Sequence, residues 1–117
     1  MKIVYIAGKI SDKNIGEQMG HRERAKRIAA KLAIVGIPFF CPHTHTADFG
    51  FLQTNKFWYD LDFEFLKICD SILLLDNWKD SAGSIAEYEY SKKHKKKIFY
   101  SLEEVIKYYK KYEKKSK

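Results

Sequence analysis

Apolar residues along the chain gather into short runs separated by polar stretches with helical patterning. Lys2 to Ala7 (KIVYIA) is a near-continuous apolar run ending at Gly8, as in a strand covered on both faces. Ala25, Ile28, Ala29 and Leu32 recur at helical spacing, and Gly36 stands where a helix C-cap belongs. Ile37 to Cys41 (IPFFC) predicts a second strand closed by Pro42, and Pro38 places it toward the outside of a sheet. Asn55 to Cys69 predicts a second helix. Ser71 to Leu75 (SILLL), apolar at both parities, predicts a central strand. Ser84 to about Lys95 predicts a third helix and Lys97 to Tyr100 (KIFY) a fourth strand. Ser101-Leu102-Glu103-Glu104 opens a last helix with a capping box.

Strands that alternate with helices over short connections build a parallel sheet covered on both faces. The expected fold class is therefore α/β, a doubly wound sheet of four to five strands. In such sheets ligands bind beyond the carboxyl ends of the strands, where the strand order reverses. Four connections meet there. Gly8–Gly16 carries Lys9 and Ser11, Pro42–Thr54 carries His43 and His45, and Asp76–Gly83 carries Asn77 and Ser81. The fourth is the turn at Tyr100-Ser101.

Two carboxylates stand out at that edge. Glu87 lies early in the third helix, and Ser84-Ile85-Ala86-Glu87 fits the S-x-x-E capping box, so a cap and a chemical role are both open. Asp62 lies in the second helix. At about 100° per residue it falls within the arc of Trp58, Leu61, Phe65, Leu66 and Cys69, while Asp60, Glu64 and Lys67 fall opposite. A carboxylate on an apolar face is either hydrogen-bonded for structure or kept for function. A pair of carboxylates at one cleft suits glycosidic chemistry, in which one attacks the anomeric carbon and a second group handles the leaving group's proton.

With 117 residues and 45% hydrophobic content, the chain is expected to form one globular domain, 1–117. No apolar run approaches the ~20 residues of a membrane span, and the first residues do not read as a secretory signal. Cys41 and Cys69, without close spacing, read as buried reduced thiols, and a cytoplasmic location is expected. The net charge of +7 is a property of the tail. Residues 91–117 hold eleven lysines against three glutamates, whereas the first 90 residues hold eleven basic and twelve acidic groups. The lysine-rich helix 101–117 reads as a solvated face, and nucleic acid is not expected as a partner. His43 and His45 lack a third ligand at a recognisable spacing, so no metal is expected. They read instead as cleft residues near a base or sugar, while Trp58 and Trp78 are either base-stacking groups or core and rim aromatics. Gly8–Gly16 is no dinucleotide fingerprint, and no cofactor is expected.

Four pieces together resemble the nucleoside 2-deoxyribosyltransferase superfamily. They are VYIAG (Val4 to Gly8), DFEFLKICD (Asp62 to Asp70), the strand SILLLDNW and the S-x-G-x-x-x-E of SAGSIAE (Ser81 to Glu87). Within it the chain is most similar to small phage and bacterial domains and to deoxynucleoside 5′-monophosphate N-glycosidases. The resemblance covers about residues 2–100 and implies a flavodoxin-like fold. It implies Glu87 as the nucleophile at C1′, Asp62 as a proton-handling group facing the base or sugar, and Tyr5 as the holder of Glu87. It further implies that Ser81, with the backbone around Gly83, binds a 5′-phosphate or the sugar edge at a helix N-terminus. A serine at 81, where transferases acting on free nucleosides commonly carry aspartate, points to the phosphate-binding hydrolases. Asp80, one residue out of register, is a possible stand-in for that aspartate. Where the N-glycosidases carry a first-loop arginine, this chain has Lys9, with Gly8 and Ser11 beside it. Glu89 replaces the small residue preferred after the nucleophile.

The expectation from sequence is an N-glycosidase acting on a nucleoside 5′-monophosphate and working as a homodimer. The alternatives are deoxyribosyl transfer between bases, a non-catalytic nucleotide-binding module, and nucleic-acid binding through the tail.

Overall fold

The computed structural model describes residues 1–10, 12–46 and 49–116, with side chains as far as Lys111. Four strands form one parallel sheet: β1 (Val4–Ala7), β2 (Phe39–Phe40), β3 (Ser71–Leu74) and β4 (Lys97–Phe99). Their spatial order is β2-β1-β3-β4, a flavodoxin-like arrangement. The helices are α1 (Ile15–Ile34), α2 (Pro42–His45), α3 (Asn55–Ile68), α4 (Ala82–Lys93) and α5 (Leu102–Ser116). The chain leaves β1 toward β2 on one side, then crosses back to β3 on the other. The order therefore reverses between β1 and β3, and a crevice opens at their carboxyl ends.

Alternation along the two central strands sorts the core into two layers. Val4, Ile6, Leu73 and Phe99 point to one face, where Ala25, Ala29 and Leu32 of α1 and Val105 and Tyr109 of α5 cover them. Tyr5, Ala7, Ile72 and Leu74 point to the other, against Leu66 of α3, Cys69, and Tyr88 and Tyr90 of α4. Every residue of β1 and β3 is buried, which is why both read as unbroken apolar runs. Tyr5 is the polar-tipped member of the second layer, so its hydroxyl enters the space between the sheet, α3 and α4.

The ends of the elements follow local chemistry. Gly36 takes a positive φ of 75° just past α1, the left-handed conformation a helix stop requires. Asn14 and Thr54 accept the Glu17 and Phe57 amides and cap α1 and α3. Lys96 donates to the Cys69 carbonyl at 2.6 Å, satisfying an acceptor at the end of α3. At α5 the Ser101 hydroxyl accepts the Glu104 amide (3.2 Å), as the capping box predicts, while the Glu104 carboxylate reaches back one residue further than that motif, to the Tyr100 amide (2.8 Å).

Three expectations are corrected. The second strand shrinks from Ile37–Cys41 to two residues, because Pro42 starts a one-turn helix, α2, in a stretch read as loop. Short 3-10 turns also occur at Gly50–Leu52 and Trp78–Asp80. Most consequentially, the third helix begins at Ala82, and its N-cap is Ser81. That residue is extended (φ −126°, ψ 116°) and accepts the Ser84 amide at 3.1 Å. Ser84 is therefore already helical, the Ser84–Glu87 capping box does not form, and Glu87 sits past the first turn.

The two loops that open the crevice are in close contact. The Lys9 amide donates to Asn77 Oδ1 (3.0 Å). A Cβ on Gly8 would lie 2.8 Å from Leu75 Cδ1 and 3.0 Å from Asn77 Oδ1. Gly8→Ala is expected to force these loops apart and lower stability by about 1–3 kcal/mol in urea denaturation. An unchanged midpoint would contradict the packing described.

Candidate active site

A cleft of about 830 Å³ lies beyond the carboxyl ends of β1, β2 and β3. Glu87 reaches it from the second turn of α4, Asp62 from the middle of α3, and His43 from α2. Both carboxylates are buried, at 8% and 6% exposure, so neither is a surface charge. The Tyr5 hydroxyl, fully buried in the central strand, donates to Glu87 Oε2 across the second core layer. Glu87 Oε1 has no partner among the described residues. The earlier choice between cap and chemistry is thus decided against the cap.

Burial dominates the electrostatics. It raises the Glu87 pKa to about 8; the Tyr5 hydrogen bond opposes the shift and the Asp62 charge adds to it. Burial alone raises Asp62 to about 7. Tyr5 is held well above the usual phenol range by burial, then by the Glu87 and Asp62 charges, and stays a donor. Burial lowers His43 to about 4, against the pull of the Lys9 carbonyl that its Nε2 contacts at 3.0 Å. At neutral pH that imidazole is uncharged.

Of the residues expected at the site, Gly8, His43, Asp62, Ser81, Gly83 and Glu87 line the cleft, and Tyr5 stands behind Glu87. Lys9, His45 and Asn77 do not line it. Lys9 Nζ lies 3.6 Å from Asp12. His45 packs against Phe40, Trp58 and Phe65. Asn77 ties the first loop to the third and contacts the buried His21 at 3.2 Å. Ser11 lies outside the described residues. Trp58 lines the cleft with its indole N–H bonded to the Gly50 carbonyl (2.9 Å), whereas Trp78 packs on Tyr88 away from it. Asp80 lines a separate cavity with Arg24, Arg27 and Tyr100.

Sequence reasoning missed Gln18 and Arg22, which enter the cleft from the first two turns of α1. Their i,i+4 spacing just after the first loop was the available signal. The strong apolar repeat at residues 25–32 drew the helix reading away from this end. Arg22 brings to the cleft the guanidinium that the first loop, with Lys9, lacks.

The sequence pattern of the family described as a domain of unknown function, DUF4406, matches residues 2–100. The chain belongs to that family. No curated protein matches it. Among solved structures, this DUF4406 domain is similar in fold to a 2-deoxyribosyltransferase from the psychrotolerant bacterium Bacillus psychrosaccharolyticus. The TM-score is 0.56 and the identity 23%, with 82% of this chain and 69% of that one covered. That enzyme is described as a biocatalyst for synthesis of antiviral and antitumoral nucleosides.

The buried carboxyls make the stability of this DUF4406 domain depend on pH. An acid whose folded pKa is raised favours the folded state when protonated. That contribution is complete below the ordinary carboxyl pKa and is lost as pH rises through the folded value. The window here runs from about pH 4 to pH 8. Glu87→Gln, which keeps an oxygen for Tyr5, is expected to be more stable than wild type at pH 8.5, by on the order of a few kcal/mol. The difference should vanish near pH 4 in denaturant titrations. A variant less stable at every pH would show that Glu87 serves the fold.

Proposed function

We propose that this domain breaks the N-glycosidic bond of a nucleoside or nucleotide and passes the sugar, through an ester on Glu87, to a second base. The observation that carries this reading is the buried Glu87 carboxylate. One oxygen is fixed by a phenol from the central strand and the other is free, at the edge of a cleft large enough for a nucleotide. Oε1 attacks C1′ as the C1′–N bond breaks, and the bond's electron pair leaves with the base. Asp62 supplies the proton the departing ring nitrogen takes up. In the second half the nitrogen of an incoming base attacks C1′, the ester electrons return to Glu87, and the nitrogen's proton passes to Asp62. The fold shared with a 2-deoxyribosyltransferase supports transfer as the fate of the sugar.

Raised pKa values in both carboxyls suit this cycle. Near pH 7.5 the pair holds about one proton, and the form with Glu87 ionised and Asp62 protonated is one of its two arrangements. That one proton sits mainly on Glu87; the Tyr5 bond narrows the gap without reversing it, so the arrangement that reacts is the minor one.

A second reading, hydrolysis of a 5′-monophosphate, has its own support. Arg22 and the start of α4 at Ser81 and Gly83 line the same cleft, and a guanidinium beside a helix N-terminus suits a phosphate. Water then takes the place of the incoming base.

The test is chromatography of reactions containing deoxynucleosides or their 5′-monophosphates, with and without a free acceptor base. We expect a new nucleoside to form only when acceptor is present, with kcat/KM bell-shaped in pH and highest between pH 7 and 8. Glu87→Gln should lower kcat at least about a thousandfold and Tyr5→Phe about tenfold to a hundredfold. Free base from monophosphates alone, with no new nucleoside, would select hydrolysis. No turnover of any substrate would overturn both.

A further inference from the structure

Four buried side-chain polar atoms in the described structure have no hydrogen-bond partner, and three belong to residues that line the cleft: His43 Nδ1, Asp62 Oδ1 and Ser84 Oγ. The fourth, the Ser71 hydroxyl, lies on β3 away from it. An orphaned buried polar group costs about 1–3 kcal/mol, and native folds keep few of them. Three on residues of one cleft, from three different helices, concentrate unused hydrogen-bonding capacity at its wall.

The sense of one of them is fixed by geometry. His43 Nε2 lies 3.0 Å from the Lys9 carbonyl, which can only accept, so Nε2 carries the hydrogen. In the neutral ring Nδ1 is then a bare acceptor. His43 is 2% exposed, so water does not serve this atom freely. Its matching group on a ligand is a hydrogen-bond donor, and at the base end of a nucleoside that is an N–H. Asp62 Oδ1, likewise buried and unpartnered on a residue that lines the cleft, is a second acceptor, and stays one when the carboxyl proton is on Oδ2. An exocyclic amino group carries two hydrogens and can serve more than one acceptor. A carbon-bound hydrogen meets neither.

We propose that His43 selects the base and that the base it selects carries an exocyclic amino group. The inference rests on the nucleoside reading above and narrows it to amino-bearing bases such as adenine or cytosine. His43 touches neither C1′ nor the nucleophile in this scheme; it recognises the far edge of the base. Ser84, in the first turn of α4 beside Ser81 and Gly83, is left for the sugar end.

The experiment removes the amino group and nothing else. 2′-Deoxyadenosine is compared with the 2′-deoxyriboside of unsubstituted purine, and 2′-deoxycytidine with that of pyrimidin-2-one, using wild type and His43→Phe. Leaving-group differences cancel in the ratio between the two proteins. We expect the amino preference in kcat/KM to be at least about tenfold larger in wild type for one of the two pairs. Equal preferences in both proteins would overturn the proposal while leaving the N-glycosidic reading intact. If no substrate turns over, that reading fails, and calorimetric titration of wild type with free adenine against purine, and free cytosine against pyrimidin-2-one, decides this one alone. Tighter binding of the amino base supports it, and equal binding overturns it. The same titration decides the matter should His43→Phe not fold.

Discussion

A phenol donating to a carboxylate inside a protein core fixes both groups only if the elements carrying them cannot shift. Tyr5 is on β1, hydrogen-bonded to strands on both sides, and Glu87 is on α4, packed over β3 and β4. Their hydrogen bond joins the sheet to the helix across the second core layer. The bond engages Oε2 and offsets part of the penalty of ionising a buried acid, and in the cycle proposed above it leaves Oε1 to attack. Without Tyr5, burial would hold Glu87 still more firmly in its neutral, unreactive form.

The rest of the cleft is arranged around that oxygen by topology. The reversal between β1 and β3 sends the loops after these strands apart, and the contact at Gly8, Leu75 and Asn77 sets how far. The short α2 holds His43 against the Lys9 carbonyl, so one loop fixes the side chain of another. Asp62 is placed by the helical period of α3. The residues that put Trp58 and Leu66 against the body of the protein carry the carboxylate inward with them. The cleft gathers buried acids and unpartnered polar atoms, features that oppose stability and suit recognition.

Much of this was legible in the sequence because periodicity reports burial. The apolar runs at Val4–Ala7 and Ser71–Leu74 give the two central strands. The arc holding Asp62 gives an inward carboxylate before any coordinates. What periodicity does not report is where a helix is capped. Ser84 has the glutamate three residues on that a capping box asks for, yet the extended backbone at Ser81 places the cap there and moves Glu87 out of the capping position. Arg22 was missed because a polar residue at a helix start looks the same whether it faces water or a cleft. Lys9 and Asn77 lie in the right loops, but their contacts hold those loops together, a distinction that depends on side-chain direction.

Mass spectrometry of the intact protein after incubation with 2′-deoxy-2′-fluoro nucleosides tests the central claim most directly, because the fluorine slows loss of the sugar from an enzyme ester. The account predicts an added mass of one fluorosugar, located on the peptide containing Glu87 and absent from Glu87→Gln. Substrate cleaved with no adduct on Glu87, or an adduct that persists in Glu87→Gln, would contradict it.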